Sequence, residues 1–292
     1  MRKIYLIAAV ACMACSCSQS EIPAMQETSD EVTFTVEYDS QSRATGSAFE
    51  NGDMMGVFMT QYDGEKASPL QVSGNYANNA KSTLNGGKWV NTPGIYWDEG
   101  KFDVFAYYPY GTVASVDNLN FSVQLDQSTP ENGSTLSGYE ASDFLWTSRK
   151  GISRSESVAL SFKHILSSVV INLVKGEDYS GALPDKAEVY VHNTIPSALI
   201  DLSSGSVERN GRASERTIKA CKAGDHSYKA IVVPQRLENS RPLIEVVTEG
   251  VSFMVERKFV FRSGTQHTIN VILSDNPTKV KIEVGGEIAN WN

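Results

Sequence analysis

A two-residue rhythm governs what this chain can fold into. From Val32 the sequence reads Val32-Thr-Phe34-Thr-Val36-Glu-Tyr38. Successive side chains of an extended strand point to opposite faces, so Val32, Phe34, Val36 and Tyr38 share one apolar face. Short runs rich in Val, Ile, Phe and Thr recur to the end of the chain: 55–59, 102–108, 119–125, 158–162, 168–174, 188–192, 229–233, 243–247, 252–261, 267–273 and 279–284. Clusters of Gly, Pro, Asn and Asp separate them, as between strands. Helical spacing occurs only over 162–173, and there the β-branched Val169-Val-Ile171 favours a strand. The expected class is all-β, built from antiparallel β-sandwiches.

The N-terminus reads differently. Met1-Arg2-Lys3 precedes an apolar stretch from Ile4 to Ala14, then Cys15-Ser16-Cys17 and the polar Ser18-Gln19-Ser20-Glu21. An apolar segment this short cannot span a bilayer, and with its basic start and small residues it reads as a signal peptide over 1–16. A cysteine at the cleavage site is the mark of a lipoprotein, with Cys17 as the lipidated residue or Cys15 as the alternative. Residues 17–31, acidic and without periodicity, read as a flexible tether.

Removal of the first 16 residues leaves 276 of the 292, and loss of Arg2 and Lys3 takes the net charge from −8 to −10. An acidic chain without clustered Lys and Arg lacks the footprint of a nucleic-acid binder. Its length suits two domains. The polar stretch Thr147–Glu156 carries the composition shift, and placing the connection there divides the chain into 32–152 and 153–292. Cys221 would remain without an intramolecular partner, so buried cores and not disulfides must hold the fold.

Catalytic chemistry has no clear signature. His164, His192, His226 and His267 lie far apart and show no metal-ligand spacing. No nucleophile elbow, phosphate-binding glycine loop or HExxH pattern occurs. Neither a catalytic residue, a metal site nor a cofactor is expected. Trp89, Tyr96, Trp97 and Phe105–Tyr110 offer flat rings for a sugar, against the reading that they are strand and turn residues in a core.

Seven segments, in order along the chain, carry a resemblance: Ser42-Arg-Ala-Thr45, Asn51-Gly-Asp-Met-Met-Gly-Val-Phe58, Phe105-Ala-Tyr-Tyr-Pro-Tyr110, Phe144-Leu-Trp146, Leu160-Ser-Phe-Lys-His164, Val232-Val-Pro-Gln235 and Ile288-Ala-Asn-Trp291. Together they resemble the fimbrillin family, the lipoprotein (type V) pilins of the Bacteroidota. The resemblance implies two tandem transthyretin-like, Greek-key β-sandwiches, anchored by lipid in the outer membrane and displayed in a cell-surface fimbrium. It also implies cleavage by a trypsin-like surface protease and polymerisation with other pilin subunits by donor-strand exchange. The assembled fimbria would serve adhesion to a host or bacterial surface ligand.

The residues supply parts for that mechanism. A polar loop after Tyr38 holds Arg43, and a cut between Arg43 and Ala44 would free the strand of Val32, Phe34, Val36 and Tyr38. The vacated groove would present unpaired edges to a new strand. Val280, Ile282 and Val284 repeat the same alternation near the C-terminus and form the candidate donor. Two alternatives stay open: Arg149, Lys150, Arg154, Arg209 and Arg212 are comparable protease sites, and the terminal strand could complete its own domain. A cell-surface glycan-binding lipoprotein and a surface hydrolase are the competing classes.

Overall fold

The structure is a computed structural model that describes residues 30–37, 49–133, 135–155, 157–289 and 291. Its N-terminal strands are β1 (Phe34–Glu37), β2 (Met54–Asp63), β3 (Lys66–Ala67), β4 (Ala77–Asn85), β5 (Lys88–Thr92), β6 (Phe102–Tyr108), β7 (Leu119–Ser122), β8 (Leu145–Ile152), β9 (Val158–Ser161) and β10 (Lys163–His164). The remainder are β11 (Ser167–Lys175), β12 (Glu188–Thr194), β13 (Ser197–Asp201), β14 (Ser206–Arg209), β15 (Arg216–Lys219), β16 (Cys221–Gly224), β17 (Ser227–Val232), β18 (Gln235–Thr248), β19 (Val251–Phe261), β20 (Thr265–Leu273) and β21 (Lys281–Ala289). Two short 3-10 turns, Glu140–Ser142 and Pro277–Lys279, are the helical elements among the described residues. The stretch 162–173 is extended, as its β-branched triplet demands.

In the N-terminal half the main sheet runs β10-β8-β6-β2-β4-β5, with β3 on β2, and β1 pairs with β9 as a separate ribbon. The C-terminal half stacks a five-stranded sheet, β16-β17-β11-β20-β21, against a four-stranded one, β15-β12-β18-β19. Both halves are sandwiches. Most pairings are antiparallel; β1 with β9 and β11 with β20 are parallel.

The strand β6 explains how the halves join. All seven of its residues are buried. Phe102, Val104 and Ala106 face a core shared with Val32, Phe34, Val158 and Leu160. Phe105 and Tyr107, one residue out of phase, join a second core with β11, β12, β17, β18 and β20. The N-terminal sheet is thus covered on both faces, and its second face is a wall of the C-terminal core. Alternation along one strand assigns neighbouring side chains to different cores.

One strand was hidden in the sequence by polarity. The stretch Thr147–Glu156, expected as a connection, is largely β8, paired with β6 and β10. Thr147 is buried while Arg149 and Lys150 face solvent, so the strand reads as polar. The line between 152 and 153 falls between β8 and β9, and strand pairing crosses it. β9 and β10 pair with β1 and β8, and β7 pairs with β13 in the three-stranded sheet β14-β13-β7.

Candidate functional site

The segment 30–37 lies in a groove between β9 and residues 95–97. Trp97 N–H donates to the Asp30 carbonyl at 2.6 Å, and Val32 N–H donates to the Ile95 carbonyl at 2.8 Å. On the other edge Val158 N–H donates to the Thr33 carbonyl at 2.9 Å, and the parallel register pairs Phe34 with Val158 and Val36 with Leu160. Asn91, itself buried, sends its Nδ2 to the Val32 carbonyl at 2.7 Å. Arg154 forms an ion pair with Asp30 at the start of the segment. Two-residue alternation then decides the side chains: Val32 is 0% and Phe34 4% exposed, with Val36 packed against the same core. Burying these three side chains contributes on the order of 5 kcal/mol, at about 1.5 to 3 kcal/mol per fully buried residue. Tyr38, Arg43 and Ala44 lie outside the described residues, as do Cys15 and Cys17.

The candidate donor strand sits on the far edge of the C-terminal sheet, antiparallel to β20. Val280 and Ile282 are half-buried against the C-terminal core, whereas Val284 is 42% exposed. The pairing slips between Ile269 and Thr268, where Gly285 is inserted as a bulge and Gly286 has φ +147. That conformation is readily available only to glycine. Beyond the bulge Glu287 meets Arg262 in an ion pair and lies 3.2 Å from Nδ1 of the buried His267. Arg262 N–H donates to His267 Nε2 at 3.1 Å, so this nitrogen is the unprotonated one. Burial depresses the His267 pKa, with Glu287 opposing the effect.

Trp291, the last residue but one of the sequence, is buried and stacks on His164 with ring centroids 3.7 Å apart and 17° between planes. His164 is oriented by Asp143, whose carboxylate reaches its Nδ1 at 2.8 Å. The spacing in sequence between His164 and Trp291 gave no sign of this contact; only their presence in two of the singled-out segments set them apart. The other histidines are held locally, His192 by Glu245 and Thr217 and His226 by the Pro184 carbonyl. No group of three metal-ligating side chains meets among the described residues.

Most of the rings considered for sugar stacking are core. Trp89, Trp97, Phe105, Tyr107 and Tyr108 are buried, while Tyr96 is 59% and Tyr110 37% exposed. Burial raises the Tyr107 pKa to about 12. Of the alternative protease sites, Arg149, Lys150 and Arg209 belong to strands, Arg154 is ion-paired with Asp30, and Arg212 is exposed in a turn. Cys221 is partly buried, which pushes its thiol pKa up and away from reactivity.

Comparison with known proteins supplies the context. A fimbrillin-like family model matches residues 42–291. No curated protein matches the chain in sequence. A cell-adhesion candidate from Bacteroides ovatus superposes with a TM-score of 0.70 at 18% identity, covering 90% of this chain and 98% of its own. One from Bacteroides uniformis gives 0.65 at 19% identity, with coverage of 90% and 98%. A fimbrial protein from Bacteroides vulgatus gives 0.50 at 14% identity, with 89% and 99% covered. At these identities the likeness is one of fold.

Proposed function

The chain belongs to the fimbrillin-like family, whose members are structural and adhesive proteins of cell-surface fimbriae and not enzymes, and from this premise we propose that it is a pilin subunit polymerised by strand exchange. In this reading the precursor is exported as a lipoprotein on Cys17, or on Cys15, and anchored to the outer membrane. A trypsin-like surface protease cuts between Arg43 and Ala44. The segment holding Val32, Phe34 and Val36 then leaves, and the strand of Val280, Ile282 and Val284 from a neighbouring subunit replaces it. The fimbria so formed serves adhesion.

The contrast between the two strands carries the reading. The first is held by residues 95–97 over its start and by β9 along its length, and buries its apolar face deep in a core, so its loss would leave a groove with unmet backbone groups and exposed apolar walls. The last lies at a sheet edge with most of its apolar surface in water, a state that insertion into such a groove would improve. The test is to treat the unlipidated precursor with a trypsin-like protease, read the new N-terminus by mass spectrometry, and run the product unheated on a denaturing gel. Cleavage after Arg43 with a heat-sensitive ladder is expected, and Arg43→Ala should abolish both. A precursor cut at Arg43 that stays monomeric overturns polymerisation by strand exchange.

A further inference from the structure

From Asp275 to Ala289 not one residue is buried, yet Trp291 is 6% exposed. A strand that covers little of its own core is therefore held at its tip. We propose that the Trp291 indole, seated on the His164 ring, is the catch that keeps the C-terminal strand on its own subunit, and that release of this catch makes the strand available to a neighbour. The second half of this inference rests on the strand-donation reading above; the first does not.

Three observations build the catch. His164 belongs to β10, in the N-terminal sheet, whereas β21 pairs with β20 in the C-terminal sheet. The tip thus crosses from one unit to the other, and the stack ties the strand to a surface that its backbone ladder does not touch. Asp143 fixes the imidazole from the side at 2.8 Å, so the seat is oriented by a neighbour that stays behind when the tryptophan leaves. The indole Nε1 is buried without a hydrogen-bond partner among the described residues. That unmet donor offsets part of the gain from burying the ring, which weakens the hold. Glu287, paired with Arg262, supplies a weaker and more exposed second hold.

Local opening is what hydrogen exchange reads. In the uncleaved, monomeric protein, Trp291→Ala is expected to speed exchange across 281–289 by about tenfold or more, as fits loss of a buried aromatic. Exchange in β11 and β17, on the other side of the sheet, is expected to stay near the wild-type rate. Trp291→Phe, which can still stack, should restore most of the protection, and His164→Ala should reproduce the effect of Trp291→Ala with the tryptophan in place. Unchanged exchange over 281–289 in Trp291→Ala, or acceleration spread evenly through β11 and β17, overturns the catch. After cleavage at Arg43, Trp291→Ala is expected to form oligomers faster than wild type. Faster exchange without faster assembly would leave the catch standing and overturn its role as the gate, and an absence of oligomers in wild type as well would locate the failure in the strand-donation reading.

Discussion

Phe34 lies directly across from Val158 in the parallel register of β1 and β9. Its ring fills the N-terminal core, and with Val32 it decides how firmly the first segment stays once the chain behind it is cut. Removing a buried Phe side chain costs about 3 to 5 kcal/mol, so Phe34→Ala should speed departure of the cleaved segment by about a hundredfold or more. Gel filtration of cleaved protein at successive times, with mass spectrometry of the retained species, measures that rate. An unchanged rate would mean that backbone pairing alone holds the segment.

Gln127 is fully buried and takes the place of a strand neighbour. Its Nε2 donates to the Ile231 carbonyl and its Oε1 accepts from Ile231 N–H, both at 2.8 Å. Truncation strands a buried donor and a buried acceptor, so Gln127→Ala should cost about 2 to 4 kcal/mol. A urea midpoint moved by the equivalent of less than about 1 kcal/mol would show that water replaces both bonds.

Gly205, in the turn between β13 and β14, faces Trp146 of β8. A Cβ there would stand 2.4 Å from the indole, and φ is already +71. The indole Nε1 also donates to the Leu202 carbonyl at 2.8 Å, which fixes the ring against the turn. Gly205→Ala should cost about 2 to 4 kcal/mol with Trp146 present, from overpacking and left-handed backbone together. In a Trp146→Ala background only the backbone part, about 1 to 2 kcal/mol, should remain. Equal costs in the two backgrounds would refute a steric clash across the contact between the halves.

His267 predicts a pH dependence. Its pKa is depressed below the ordinary 6.5 by burial, so the unfolded chain binds the extra proton first as pH falls. Stability that is complete above about 6.5 then declines as pH drops below it, by at most about 1.4 kcal/mol per pH unit for one proton. Denaturant unfolding between pH 7.5 and 5 should show this slope, and His267→Gln should remove it. A slope of opposite sign, or one that survives the substitution, would assign the effect to another group.

How far the fold was legible follows from which interactions are local. The alternation at Val32, Phe34 and Val36 announced a strand with one buried face, and the face is where the pattern put it. Its parallel partner, more than a hundred residues on, left no local trace. β6 hid its role for a different reason: buried on both faces, it shows no polar alternation, and its one acid, Asp103, is buried too, answered by Tyr62 Oη at 3.0 Å and Gly151 N–H at 2.9 Å. β8 hid behind charges that point to solvent. The stack of His164 on Trp291 joins a strand of the N-terminal sheet to the end of the C-terminal one, and no spacing rule anticipates it. Arg43 and the cysteines stand where sequence alone speaks for them.

Val284 separates the subunit from the polymer. In the monomer it is 42% exposed at a sheet edge, so Val284→Asp should alter stability by no more than about 0.5 kcal/mol, as for most surface changes. In an acceptor groove the same position would face the apolar walls left by Val32 and Phe34. Burying an unpaired carboxylate there is prohibitive unless it takes up a proton. Cleaved Val284→Asp protein should therefore keep the wild-type melting temperature, fail to form the heat-sensitive ladder, and still accept a strand from a wild-type subunit, because its own groove is intact. Thermal denaturation reads the first, an unheated gel of the mutant alone the second, and a mixture of tagged mutant with untagged wild type, probed for the tag, the third. A mutant that polymerises alone as readily as wild type would show that Val284 stays in water after assembly, and the donor strand would have to be sought elsewhere in the chain.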